Sequence, residues 1–138
     1  MSLYRYLLDT NILSDLIKNP TGSAARKITA PDIEPLCCTS LIVACELRYG
    51  YGTYKKGSAR LISRVEQLLQ ALPVLSLERN IPLHYGEIRT SLEQAGLPIG
   101  GNDLLIAAHA RSLQLTIVTA SLREFSRVPG LVVENWLS

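Results

Sequence analysis

The chain has 138 residues, 47% of them hydrophobic and 19% charged, a mixture that excludes an intrinsically disordered polymer and fits a single domain over residues 1–138. Its 14 Lys and Arg against 12 Asp and Glu leave a net charge of +2, too little to imply a polyanionic partner by itself. No apolar run reaches the ~18 residues of a membrane span, Met1 to Leu8 lacks the apolar core of a signal peptide, and Cys37, Cys38 and Cys45 have neither disulfide-framework nor zinc spacing, so a cytoplasmic protein with no membrane association is expected.

Short apolar runs alternate with segments of helical period, the pattern of an α/β fold built on a parallel sheet. Leu3 to Leu8 predicts a first strand that ends at Asp9. Thr10 and Asn11 then start a helix carrying Ile12, Leu13, Leu16 and Ile17, and Lys18-Asn19-Pro20 stops it. Beyond Pro31 and Pro35, Leu36 to Thr39 predicts a second strand, with Ser40 as N-cap of a helix from Leu41 to Tyr49 that carries Glu46. From Lys55 to Leu72 the positions Leu61, Ile62, Val65, Leu68, Leu69 and Leu72 form the stripe of an amphipathic helix. Val74 to Leu77 predicts a third strand, and Ile81 to Gln94 a helix that Gly96 closes. Asn102 is placed to cap a buried apolar helix from Asp103 to about Leu113. Leu115 to Thr119 and Leu131 to Val133 supply the last strands, and Trp136 reads as an apolar anchor for the C-terminus.

Three carboxylates stand apart because their neighbours are apolar: Asp9 after Tyr6-Leu7-Leu8, Glu46 after Ile42-Val43-Ala44-Cys45, and Asp103 before Leu104-Leu105-Ile106. Singly, each has an ordinary role: a helix cap, a surface residue beside Arg48, and an acid at a helix N-terminus. Together they form an all-oxygen donor set suited to a hard divalent cation, and the strand ends and helix starts of a parallel sheet open on one edge. Thr10, Asn11, Ser40 and Thr119 are candidate donors that would fix those carboxylates, with ordinary capping as the alternative. His84 and His109 are isolated and read as structural. No Gly-x-Ser-x-Gly turn is present, and Gly100-Gly101-Asn102 lacks the lysine of a P-loop.

Four segments carry a family resemblance: Leu7-Leu8-Asp9-Thr10-Asn11, Ala44 to Gly50, Pro98 to Ala110 with Asn102-Asp103-Leu104-Leu105-Ile106 at its centre, and Arg123 to Gly130 leading into Glu134-Asn135-Trp136. In this order, nearly end to end, the chain resembles the PIN-domain ribonucleases of the VapC toxin group. The resemblance implies a three-layer α/β/α fold with a central parallel sheet. It also implies an endoribonuclease dependent on magnesium or manganese, hydrolysing RNA phosphodiester bonds as the toxin of a toxin–antitoxin pair. Asp9, Glu46 and Asp103 match the family's metal-holding and catalytic acids, and a cognate antitoxin and a homodimer are carried over as partners.

One departure stands out: Ser121 occupies the position, two residues after Thr119, where the family usually has Asp or Asn. A hydroxyl there assists as a hydrogen-bonding group but adds no charge, so a second cation is expected to bind more weakly. Glu124 and Glu87 are the acids that compensate if the fold brings them near. The same departure motivates the alternative of a degraded module that binds RNA or a protein without cleaving. Arg48, Lys55, Lys56, Arg60 and Arg64, interleaved with Tyr49, Tyr51 and Tyr54, form the candidate RNA-contacting surface, with a solvated helix face that binds antitoxin as an equal alternative. Activity is expected to fall at acid pH, near or below the ordinary carboxylate value of ~4.

Overall fold

A computed structural model of the chain describes residues 3–52 and 58–137. Five parallel strands form one sheet in the order β3-β2-β1-β4-β5: β1 (Tyr6–Leu8), β2 (Cys37–Ser40), β3 (Val74–Leu75), β4 (Thr116–Val118) and β5 (Val133–Glu134). Leu8 lies opposite Thr39 on one side and Val118 on the other, so β1 is central and buried on both faces, as its unbroken apolar run requires. The helices pack on the sheet: α1 (Thr10–Lys18), α2 (Ser23–Ile28), α3 (Leu41–Leu47), α4 (Ala59–Ala71), α5 (Ile81–Gln94), α6 (Gly101–Ser112) and α7 (Leu122–Phe125). This is the expected three-layer α/β/α arrangement. The chain order reverses at β1, and the C-terminal edge beside such a reversal is where open parallel sheets form sites.

Strand boundaries are shorter than the apolar runs, because a strand ends where its partner does. β1 begins at Tyr6, opposite the first residues of β2 and β4, leaving Leu3 exposed. β3 is limited to the two residues opposite Thr39 and Ser40, and β5 to Val133 and Glu134 opposite Ile117 and Val118. The helix expected from Leu41 to Tyr49 ends at Leu47, and a π-helical turn, Arg48–Gly52, follows. Gly50 and Gly52 are poor at propagating a regular helix, which accounts for the early stop.

α5 closes as its sequence predicts. Gly96 has a φ of +70°, Leu97 N–H donates to the Leu92 carbonyl at 2.9 Å, and Gly96 N–H donates to Glu93 at 3.1 Å. α6 starts earlier than expected, at Gly101 with Gly100 in the cap position, so Asn102 lies inside the first turn and does not cap the helix. The rest of α6 is buried through Leu104, Ile106, Ala107, Ala108 and Ala110. Trp136 is buried edge-on against Tyr6, with ring centroids 4.9 Å apart, and Ser23 donates to the Trp136 and Leu137 carbonyls.

Candidate functional site

Asp9 stands at the C-terminal end of the central strand. Its backbone carbonyl accepts from Leu13 N–H to open α1, while its side chain makes no capping bond and turns into the sheet edge. There Thr119, the residue after β4, donates its hydroxyl to Asp9 Oδ2 at 2.8 Å. Both residues are buried. The Thr119 hydroxyl in turn accepts from Ser121 N–H at 2.9 Å. Asn11 completes the frame, accepting from Ala120 N–H at 3.0 Å and donating to Ser121 Oγ at 3.1 Å. Three predicted donors, Asn11, Thr119 and Ser121, thus form one network behind Asp9. Burial raises the Asp9 carboxyl above its ordinary value, the Thr119 and Thr10 hydrogen bonds oppose that shift, and the charge of Glu46 reinforces it.

Glu46 approaches from α3, and both of its oxygens are held. Thr10 donates to Oε1 at 2.5 Å and Asn102 donates to Oε2 at 3.3 Å. Asp103 sits one residue after Asn102 in the first turn of α6, half-buried. Its carboxyl is pushed up to about 6, first by burial and then by the charges of Asp9, Glu46 and Glu124. The three predicted acids therefore share one electrostatic neighbourhood, and Glu124 on α7 joins it as a fourth. Glu87 does not; it is taken by Arg111, which donates to its Oε1 at 2.5 Å.

The set consists of neighbours rather than a closed cage. Among the described residues no three acid, histidine or cysteine side chains are grouped tightly enough to hold a metal ion as they stand. The chemistry of the donors nevertheless fits a hard divalent cation: all are oxygens, they repel one another, and the ion pairs among the described residues employ Glu66, Glu93 and Glu87 instead.

Other expected residues lie elsewhere. Among the described residues Ser40 makes no hydrogen bond to any of the three acids. Its hydroxyl accepts from Ile42 N–H at 3.1 Å, capping α3, and lies 2.8 Å from Nδ1 of the buried His109. The reason is directional: Ser40 closes β2 at the helix start, six residues before Glu46. Burial lowers the pKa of His109, which fits its structural reading. In the basic stretch, Arg48 forks onto Glu66 of α4, with Nη2 to Oε2 at 3.1 Å, and Arg64 donates to the Ile17 carbonyl at 2.7 Å. The Tyr51 hydroxyl is bonded to Ser14 and the Lys18 ammonium lies over its ring. Lys55, Lys56 and Tyr54 lie outside the described residues. Asn102, expected to cap α6, instead holds Glu46, and of the two acids named as compensating candidates Glu124 is the one whose charge reaches Asp103.

Residues 6–131 match the family model described as PIN domain. The chain is 39% identical over 131 residues to Ribonuclease VapC2 of Rickettsia felis, an alignment spanning 95% of this chain and 97% of that protein. It is 34% identical over 134 residues to the tRNA(fMet)-specific endonuclease VapC of Salmonella typhimurium, spanning 97% and 99%. Its fold matches a chain in the crystal structure of DNA-bound VapBC from Salmonella typhimurium with a TM-score of 0.86 at 34% identity, covering 96% of this chain and 98% of that one.

Proposed function

The chain belongs to the PIN-domain family, among the VapC ribonucleases, and from that premise we propose that Asp9, Glu46 and Asp103, with Glu124 beside them, hold magnesium, or manganese in its place, for RNA cleavage. It is an endoribonuclease, the toxin of a toxin–antitoxin pair. The observation that carries the metal assignment is electrostatic. Asp103 is crowded by three other carboxylates, and a divalent cation is the counter-charge that an all-oxygen group of this kind favours. When bound, the cation polarises the phosphoryl group and lowers the pKa of water at the point of attack.

The chain's own residues supply position. Asp9 and Asp103 are short side chains at the ends of rigid elements, so their oxygens wander least. Glu46 keeps lone pairs beyond those used by Thr10 and Asn102 with which to bind the cation or orient the attacking water. Thr119, Asn11 and Ser121 keep Asp9 from turning away. Arg48, Lys55 and Lys56 are the proposed contacts to RNA phosphates, and Glu66 competes for Arg48.

A cognate antitoxin is the protein partner, and homodimerisation and a cytoplasmic location complete the proposal. No helix among the described residues is long and apolar enough to cross a membrane. Purified protein incubated with labelled RNA is expected to cleave it when magnesium or manganese is added and to stop on chelation. RNA binding without product at saturating metal would establish the non-cleaving module, and cleavage unaffected by chelator would overturn the metal assignment.

A further inference from the structure

We infer that Asn102 is a positioning residue for Glu46, orienting that carboxylate toward the cation without neutralising it. Glu46 is the acid least able to place itself. Three rotatable bonds separate its carboxylate from α3, so fixing it costs more conformational entropy than fixing the shorter side chains of Asp9 and Asp103. Thr10 grips one oxygen, and a carboxylate held by one oxygen still pivots about that bond. The second grip, Asn102 Nδ2 on Oε2, removes the pivot.

Among the described residues the Asn102 side chain makes no other hydrogen bond. Its side chain does not cap α6, whose first turn is opened by the Gly100 carbonyl accepting from Leu104 N–H at 2.9 Å. Its hydrogen bond among the described residues is the one to Glu46, 56 positions away in sequence. The residue types matter as well. Lys or Arg at this place would hold the carboxylate equally well but would cancel the charge that attracts a cation; an amide donates a proton and leaves that charge in place. Because Asn102 and Asp103 share one turn of α6, the orientation of Glu46 and the position of Asp103 are set by a single rigid element.

The inference rests on the metal-site reading, and calorimetric titration of the full chain with manganese separates the two. Asn102→Ala is expected to weaken manganese binding by roughly 10-fold, the lower end of the range for groups that orient ligands. It should shift the metal concentration that RNA cleavage requires more than the rate at saturating metal. Glu46→Asp keeps the charge but withdraws the carboxylate from the amide, so adding Asn102→Ala to Glu46→Asp is expected to change affinity little further. An unchanged affinity in Asn102→Ala, or an equal loss in both backgrounds, would overturn the positioning role, the latter by showing that the residue acts through the helix. A wild-type chain that binds no manganese would remove the metal-site reading itself, and the inference with it.

Discussion

Asp103→Asn is expected to lower metal-dependent RNA cleavage by on the order of 100-fold or more while making the metal-free protein more stable. The first effect follows because groups that only orient a ligand already contribute about 10–100-fold, so a ligand itself contributes at least the upper end. The second follows from linkage. Asp103 is raised from 3.8 in the unfolded chain to about 6 in the fold, so the native state binds the proton more tightly. Stability of the metal-free wild type therefore falls as pH rises from about 4 through about 6, and the penalty is fully present above that range. Discounted for solvent screening at a half-buried group, it amounts to about 1 kcal/mol, or roughly 3 °C in Tm.

Thermal melts of metal-free protein at about pH 5 and pH 7.5 should show wild type losing Tm on the alkaline side and Asp103→Asn losing less. A fully active variant would contradict Asp103 as a metal ligand, and one no more stable than wild type at the higher pH would contradict the crowding of these acids. The same shift changes the acid limit of the enzyme. At subsaturating metal, cleavage should decline as pH drops through about 6, above the ~4 expected of an unperturbed carboxylate.

Thr119→Val should damage both stability and metal binding. Valine fills nearly the same space, so the loss is of the hydroxyl alone. That hydroxyl is buried, donates to Asp9 Oδ2 at 2.8 Å and accepts from Ser121 N–H at 2.9 Å. Removing it strands part of a buried carboxylate, at a cost of about 2 kcal/mol or more, which corresponds to roughly 6 °C or more in Tm. The Asp9 carboxyl, already raised, would rise further, so the destabilisation should shrink toward acid pH as Asp9 takes up a proton. Metal affinity should fall by about 10-fold or more, and Thr119→Ser should restore most of both. A valine variant with wild-type Tm and wild-type affinity would show that Thr119 does not hold Asp9.

Much of this arrangement is legible in sequence because its strands are runs of apolar residues closed by polar ones. Tyr6-Leu7-Leu8 before Asp9 and Thr116-Ile117-Val118 before Thr119 mark the sheet edge at which the site forms. The two helices missed, α2 with six residues and α7 with four, are too short to display a helical period. α7 is the more consequential, since it carries Glu124 to Asp103. Residues linked across the fold are legible only once the fold is known. Asn102 reads as a cap from its neighbours, yet it serves a carboxylate on another helix, and Arg48 looks available for RNA until α4 brings Glu66 beside it. Ser40 illustrates the reverse: its capping role follows from local sequence, while its hydroxyl bonds Ile42 N–H and His109 and not the acids.

Crystals soaked in manganese and measured at the manganese absorption edge provide the most direct test. The expected result is an anomalous peak in contact with carboxylate oxygens of Asp9 and Asp103, with Glu46 beside it. Active protein whose only manganese peaks lie away from these three residues would contradict the account.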